Sequence, residues 1–193
     1  MKKVTLDEVM GLERYEQERP AFRQRIIAMK KSRRVPVGDR ITFVFENHDT
    51  ALFQIQEMMR TEHIVDIDKI RQEIETYNDL VPDDGQLSAT MLIEITERER
   101  VREELVRLLG IDRCVRLEVG VEAAAAEFEG GRSKEDNLSA VQYVRFPLSP
   151  SARLAMRDPN VPVRLVIDHP HYRHAADVAG PVRAEIVRDL EAP

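Results

Sequence analysis

The chain has 193 residues, of which 42% are hydrophobic and 33% are charged, a composition typical of a globular protein and unlike that of a disordered one. No apolar run approaches the roughly 20 residues needed to cross a bilayer, and no apolar segment of a signal peptide follows the two N-terminal lysines, so we expect a cytoplasmic protein with no membrane partner. The net charge of −6 is uneven, because residues 14–34 carry +6 and the rest of the chain carries −12.

Two helices are predicted at the N-terminus. The first begins at Thr5, because Thr5 and Glu8 have the spacing of a capping box, and it extends to about residue 16. The second begins near Pro20, since proline is tolerated in a first helical turn, and Phe22 and Ile26 belong to its apolar stripe. We therefore expect residues 1–34 to form a helical pair that packs on the remainder of the protein.

A central helix is predicted over residues 49–62, after a strand at residues 41–46. One side of it is a core-facing stripe of Ala51, Leu52, Ile55, Met58 and Met59. The other side carries a large aromatic residue together with polar ones, namely Phe53, Gln54, Gln56, Glu57 and Arg60. We interpret this side as a surface for a partner or a ligand. The alternative is that Phe53 packs under a neighbouring loop and that the amides bond to backbone groups.

The remaining elements are predicted from periodicity, caps and turns. Strands are expected over residues 87–95, 114–121, 140–146 and 163–167. Helices are expected over residues 67–79 after an Asp66 cap, from Thr96 to Gly110, from Ser149 to 157, and from Pro181 onward. Residues 122–127 are assigned to a strand despite four alanines, because they lead into a hairpin loop at residues 130–137.

The order of these elements indicates one α+β domain spanning residues 1–193. We expect a mainly antiparallel or mixed sheet, with helices packed on it and the helical pair at its N-terminus.

Several motifs that carry chemistry are absent from the sequence. There is no Gly-x-Gly-x-x-Gly, no phosphate-binding loop, no Gly-x-Ser-x-Gly elbow and no Glu-x-x-His pair. These absences exclude the usual nucleotide-binding, hydrolase and ferritin-like di-iron interpretations. Cys114 is the only cysteine, so neither an intrachain disulfide nor a cluster held by four thiolates of this chain can form.

Titratable residues suggest two sites. His169, His171 and His174 follow a predicted strand and are candidate ligands for a divalent metal. The alternative, which the local clustering favours, is a turn with solvated histidines. Glu57, Glu94 and His174 are candidate catalytic residues for acid–base or metal chemistry if they share a pocket. The alternative for the glutamates is a solvated sheet face. No cofactor is predicted beyond such a metal.

The basic segment is a candidate anion-binding site. Its members are Arg23, Lys30, Lys31, Arg33 and Arg34. A phosphate-bearing ligand or an acidic protein would suit them, whereas nucleic acid is not expected because the remaining charge of −12 would repel it. The alternative is that these cations stabilise a helix end and pair with acidic residues of the same chain.

Six stretches of the sequence together resemble a bacterial family known as domain of unknown function 3501. They are residues 3–8, Arg19-Pro20 with Phe22-Arg23, residues 30–34, residues 53–58 with Arg60, residues 77–82, and residues 89–94. The resemblance implies genes encoded beside a rubrerythrin-like protein and an iron–sulfur oxidoreductase subunit. It therefore implies an accessory or adaptor role in a redox or oxidative-stress module.

Two hypotheses follow. In the first, the protein is a non-enzymatic adaptor that docks on redox partners through the basic segment and the polar side of the central helix. In the second, it is a small-molecule or metal-dependent enzyme with a Glu/His pocket. Both hypotheses leave the ligand and homo-oligomer formation open.

Overall fold

The computed structural model describes residues 1–130 and 138–191. The α-helices of these residues are α1 (Leu12–Lys31), α2 (His48–Thr61), α3 (Ile67–Asn78), α4 (Val101–Arg107), α5 (Pro150–Ala155) and α6 (Gly180–Glu191). The strands are β1 (Arg34–Val37), β2 (Ile41–Glu46), β3 (Gln86–Ile93), β4 (Val115–Val119), β5 (Glu122–Ala125), β6 (Glu127–Phe128), β7 (Val141–Pro147), β8 (Val163–His169) and β9 (Tyr172–Asp177). Short 3₁₀ turns lie at Leu6–Glu8, Arg98–Arg100 and Ile111–Arg113.

The strands form two sheets. One has five strands in the order β1-β2-β3-β7-β6, and the other has four in the order β5-β4-β8-β9. All of their strand pairs are antiparallel. The predicted α+β class with an antiparallel sheet is therefore confirmed. The strand predicted over residues 122–127 exists, but it is divided between the two sheets. Residues 131–137 of the hairpin loop predicted beyond it lie outside the described residues.

The main core lies between the two sheets. It contains the fully buried side chains Phe43, Phe45, Met91, Phe146, Leu165 and Ile186. On the five-stranded sheet, Val144 belongs to this core, whereas its neighbour Tyr143 packs against the apolar cluster of α2 and α3. Because successive residues of a strand point to opposite faces, α2 and α3 cover the other face of this sheet. Helix α1 packs on α2 through a third cluster.

Gly38 allows the β1–β2 hairpin to lie against β9. Its φ angle is +75°, in the left-handed region, and a Cβ atom there would lie 2.4 Å from the Tyr172 hydroxyl and 2.7 Å from the His174 ring. The Tyr172 hydroxyl donates to the Val37 carbonyl at 2.8 Å and accepts from the Arg40 N–H at 3.0 Å. This contact closes one side of the molecule and fixes the backbone around Arg40.

The N-terminal segment differs from the predicted pair of α-helices. The capping box of Thr5 and Glu8 forms, but it caps a 3₁₀ turn, and a single 20-residue helix follows. Pro20 is exposed and lies inside that helix rather than at its start. The sequence pattern misplaces the boundary because proline is more common in a first turn than in an interior. None of the helices in the described residues is long and apolar enough to cross a membrane.

Three further boundaries are corrected. The helix expected at Thr96 begins at Val101 after a 3₁₀ turn. Strand β4 ends at Val119, and Val121 is fully exposed beyond a turn. The loop expected after residue 167 is a tight hairpin in which His169 is opposite Tyr172. Strand β9 was not predicted because it is mostly exposed at a sheet edge and lacks the alternation of apolar residues that marks a strand.

Candidate functional site

The polar side of α2 is covered by α1. Glu57 accepts a hydrogen bond from the Tyr15 hydroxyl at 2.7 Å and two from the Arg19 guanidinium at 2.7 and 2.8 Å. The hydrogen bonds from Arg19 lower the pKa of Glu57, with a smaller contribution from Tyr15. Burial and then the hydrogen bond to Glu57 raise the pKa of Tyr15. Glu57 is therefore the centre of an interhelical ion pair.

Three of the other four residues of this side have contacts within the chain as well. Gln56 is fully buried, and its amide accepts from the Met10 N–H at 2.6 Å and donates to the Met10 carbonyl at 3.1 Å. The Phe53 ring meets the Phe22 ring edge-on at a centroid distance of 5.7 Å. Arg60 pairs with Glu16 at 2.6 Å, and Gln54 is half-buried. The interpretation as an open partner surface is thus corrected for Phe53, Glu57 and Arg60, which contact α1, and for Gln56, which contacts the segment before α1.

The basic segment divides into buried and exposed members. Arg33 is only 2% exposed, and its guanidinium contacts Asp189 of α6 at 2.5 and 2.8 Å. Arg34 pairs with Glu94 at 2.5 Å, and the Lys30 ammonium lies 3.8 Å from Glu46. The anion-binding prediction is therefore corrected for Arg33, because a buried, paired guanidinium is not accessible to a ligand. The intramolecular alternative describes Arg33 and Arg34.

The candidate catalytic residues are engaged in separate contacts. Glu57 pairs with α1, whereas Glu94 accepts from the Thr42 hydroxyl at 2.7 Å and from Arg34. His174 is exposed on β9, where its ring lies 4.4 Å from that of Tyr172. The structure therefore places the three residues in three different environments rather than in a common pocket.

The three histidines are likewise not arranged as a ligand set. His169 is buried, and its Nε2 lies 3.0 Å from the Leu109 carbonyl while its Nδ1 accepts the His171 N–H at 3.3 Å. Both ring nitrogens of His169 thus have backbone partners, and His171 and His174 are exposed. Across residues 1–130 and 138–191, no group of three or more His, Cys, Asp or Glu side chains is placed to hold a metal ion.

The exposed face of α1 retains the free members of the basic segment. Arg23, Ile27 and Lys31 are spaced four residues apart, so they lie along one side of the helix, and we call them the α1 stripe. Arg23 and Lys31 are exposed, and neither forms an ion pair with any residue that the structure describes. Ile27 between them is 43% exposed. The α1 stripe is the candidate functional site.

Sequence reasoning identified the two cations of the stripe but not Ile27. The signal that could have found it is its position outside the apolar row of Phe22, Ile26 and Met29. Ile27 places an exposed apolar side chain between the two cations.

Comparison with known proteins gives a family and solved structural relatives. Residues 3–190 match the model of DUF3501, a family described as a protein of unknown function. A crystal structure of a novel protein of unknown function from Burkholderia pseudomallei K96243 is 34% identical, with a TM-score of 0.91. That alignment covers 98% of this chain and 100% of the other. No curated protein matches this chain.

Proposed function

The chain belongs to the DUF3501 family, and we propose that it is a cytoplasmic, non-enzymatic accessory protein that docks on a redox partner through the α1 stripe. The partner would present an acidic surface to Arg23 and Lys31 and an apolar side chain to Ile27. Charge complementarity of this kind steers association and fixes the orientation of the complex.

The observation that supports the proposal is the positive charge on the second half of α1 that has no carboxylate partner among the described residues. From Arg19 to Gly38 the chain contains no acidic residue. Arg33, Arg34 and Lys30 are compensated by carboxylates of other elements, whereas Arg23 and Lys31 have no such partner among the described residues. In a chain whose net charge is −6, this local positive field favours an acidic protein surface.

The α1 stripe is also held rigidly enough for docking. The Glu57 network and the Phe22–Phe53 contact fix α1 to α2. A surface on an ordered helix loses less conformational entropy on binding than one on a loop.

The identity of the partner rests on the family resemblance. It implies an iron–sulfur oxidoreductase subunit and a rubrerythrin-like protein, both of which would supply redox centres. With Cys114 as its only cysteine, the chain cannot hold a four-thiolate cluster alone. A role in orienting or stabilising a partner that carries such a cluster is consistent with this composition.

The proposal is tested by biolayer interferometry of the purified protein at low and high salt, against each of the two partners that the family resemblance implies. The double variant Arg23→Glu/Lys31→Glu should bind the partner at least about tenfold more weakly, because it replaces attraction by repulsion. The control is Lys69→Glu/Arg102→Glu, which makes the same charge change at exposed positions on α3 and α4.

Equal losses of affinity in the two double variants would show that binding depends only on net charge. The α1 stripe would then not be the docking surface. If the wild-type protein binds neither partner at low salt, the adaptor proposal itself fails.

A further inference from the structure

A cleft of about 300 Å³ lies on the five-stranded sheet beside β7 and β6, at the C-terminal end of α3. We propose that this cleft binds a primary ammonium group, carried by a small amine or by a lysine side chain. We call it the acidic cleft and define it by five of the residues that line it, namely Asp79, Ser88, Glu127, Tyr143 and Arg145.

The charge of the acidic cleft is negative. Its lining contains the carboxylates of Asp79, Glu127 and Glu129 and a single guanidinium, that of Arg145. Arg145 is already held by Asp79, because its Nη2 donates to the Asp79 carbonyl at 2.9 Å and to the Asp79 carboxylate at 3.3 Å. Glu127 is exposed and forms no ion pair with any residue that the structure describes. After Asp79 and Arg145 offset each other, the charge of Glu127 is therefore available to a cation.

The surroundings of the cleft strengthen this negative potential. Glu73 and Glu75 of α3 border a neighbouring hollow that shares Asp79 with the acidic cleft. Asp79 also marks the C-terminal end of α3, where the helix dipole favours a cation. Arg145 is the only cation among the described residues that line the two hollows. The local field thus attracts cations and repels anions.

Ser88 supplies a hydrogen-bonding group on the sheet side of the cleft. It is only 2% exposed, it lines the cleft, and its hydroxyl forms no hydrogen bond with any residue in the described part of the chain. Buried polar groups usually have a partner, so this hydroxyl is suited to a ligand. Ser88 and Glu127 lie opposite Arg145 on its two neighbouring strands, so all three side chains are on the same face of the sheet.

These groups match an ammonium ligand. A primary ammonium has N–H donors, which the Ser88 hydroxyl and the Glu127 carboxylate accept. Tyr143 also lines the cleft, and an aromatic ring attracts a cation. The volume is at the lower end of the range for small-molecule sites, so a short chain fits. A metal ion suits the cleft less well, because no three metal-ligating side chains converge anywhere in residues 1–130 and 138–191.

The inference is tested by NMR titration of the ¹⁵N-labelled full chain at pH 7 and low ionic strength. One arm uses n-butylamine hydrochloride, and the other uses Nα-acetyl-lysine methylamide, which carries the same ammonium on a peptide unit. Saturable shifts of the Ser88 and Glu127 amide signals are expected in at least one arm. The ligand control is 1-butanol, which has the same chain without the charge and should not shift these signals.

Two variants assign the binding to the cleft. Glu127→Gln should weaken it by about fivefold, because it removes the unpaired carboxylate charge. Glu103→Gln is the matched control, since Glu103 is exposed on α4 and does not line the cleft. Ser88→Ala should also weaken binding while leaving the melting temperature unchanged, because the hydroxyl has no partner to lose among the described residues.

Each outcome supports or overturns the inference. Binding of n-butylamine alone supports a site for a small amine, whereas binding of the lysine derivative supports recognition of a lysine side chain. Binding of neither, equal shifts with 1-butanol, or equal weakening by Glu127→Gln and Glu103→Gln overturns it. A melting temperature establishes that each variant is folded, and Ser88→Ala replaces Glu127→Gln if the latter is not. Arg23→Glu/Lys31→Glu should leave amine binding unchanged, so this result and the adaptor proposal stand or fall separately.

Discussion

Arg33 and Lys31 lie two positions apart in one basic run, yet their environments are opposite. Arg33 is buried against Asp189 of α6, whereas Lys31 is exposed and without an ion pair among the described residues. The difference arises where the chain leaves α1: the Arg33 carbonyl accepts the Phe45 N–H at 2.9 Å, so Arg33 already follows the sheet. The basic segment therefore contains two kinds of residue. Arg33, in the chain that follows the sheet, stabilises the fold, whereas Lys31, at the end of α1, is exposed.

The largest expected effect comes from the buried part. Arg33→Ala should lower the free energy of unfolding by about 3–5 kcal/mol, because it leaves Asp189 as an uncompensated buried charge. Urea unfolding followed by circular dichroism measures the change. Lys31→Ala is the matched control and should have little effect. Equal losses of unfolding free energy from the two substitutions would show that Arg33 and Lys31 do not differ in their contribution to stability.

A paired substitution sharpens this result. Arg33→Met/Asp189→Leu replaces both charges by apolar side chains, which often costs little or even stabilises. It should therefore recover most of the stability lost in Arg33→Ala. Failure to recover would mean that Arg33 has a role beyond its pairing with Asp189.

The next effect concerns the ion pair that fixes α1. Glu57→Gln should lower the free energy of unfolding at pH 7 by about 1.5–3 kcal/mol, since it weakens charge-assisted hydrogen bonds from Arg19 and Tyr15. The folded protein lowers the pKa of Glu57 below its ordinary value of 4.5. Its stabilisation is thus present above that ordinary pKa and is lost as the pH falls through the lower, folded-state value.

Urea unfolding of wild type and Glu57→Gln from pH 7 down to pH 3 measures this dependence. The difference between the two proteins should shrink below about pH 4.5. A difference that is independent of pH would show that the carboxylate charge is not what holds α1 to α2.

A smaller effect is expected for the neighbouring amide. Gln56→Leu removes the partner of the Met10 N–H and carbonyl and should cost about 1–2 kcal/mol. Gln54→Leu is the control on the same helix, and it should change the free energy of unfolding by less than about 0.5 kcal/mol because Gln54 is only half-buried. Thermal unfolding of the two variants side by side makes the comparison. A larger loss in Gln54→Leu would contradict the assignment of Gln56 to the interface.

These residues also show what the sequence could and could not predict. The core stripe of α2 was predicted well, since Ala51, Ile55 and Met59 are all buried, because helical periodicity depends only on local geometry. The contacts of Gln56 and Glu57 are made by Met10 and Tyr15, which are more than 40 positions away in the sequence. A helical wheel shows which residues lie together but not what covers them.

The β8–β9 hairpin and the contact between Arg40 and Glu104 illustrate the same limit. His169 and Tyr172 become neighbours only through the pairing of β8 with β9. Arg40 and Glu104 are brought together from separate elements, and no spacing in the sequence marks their contact. The α+β class, by contrast, was predictable because alternation and capping are local signals.

The smallest expected effect on stability is that of the α1 stripe. Arg23→Glu/Lys31→Glu should leave the melting temperature within about 2 °C of wild type, because both residues are exposed and unpaired in the part of the chain described by the structure. Differential scanning calorimetry measures it. A large decrease would assign these cations a structural role like that of Arg33.

The central claim, that the α1 stripe is a docking surface, is tested most directly by site-specific photo-crosslinking. A benzophenone amino acid replaces Ile27 in one sample and Leu154, which is also exposed but lies on α5, in another. Each sample is irradiated with the purified iron–sulfur subunit and with the rubrerythrin-like protein. We predict a crosslinked complex from position 27 that is lost at high salt, and none from position 154. Equal crosslinking from both positions, or crosslinking from position 154 alone, would contradict the account.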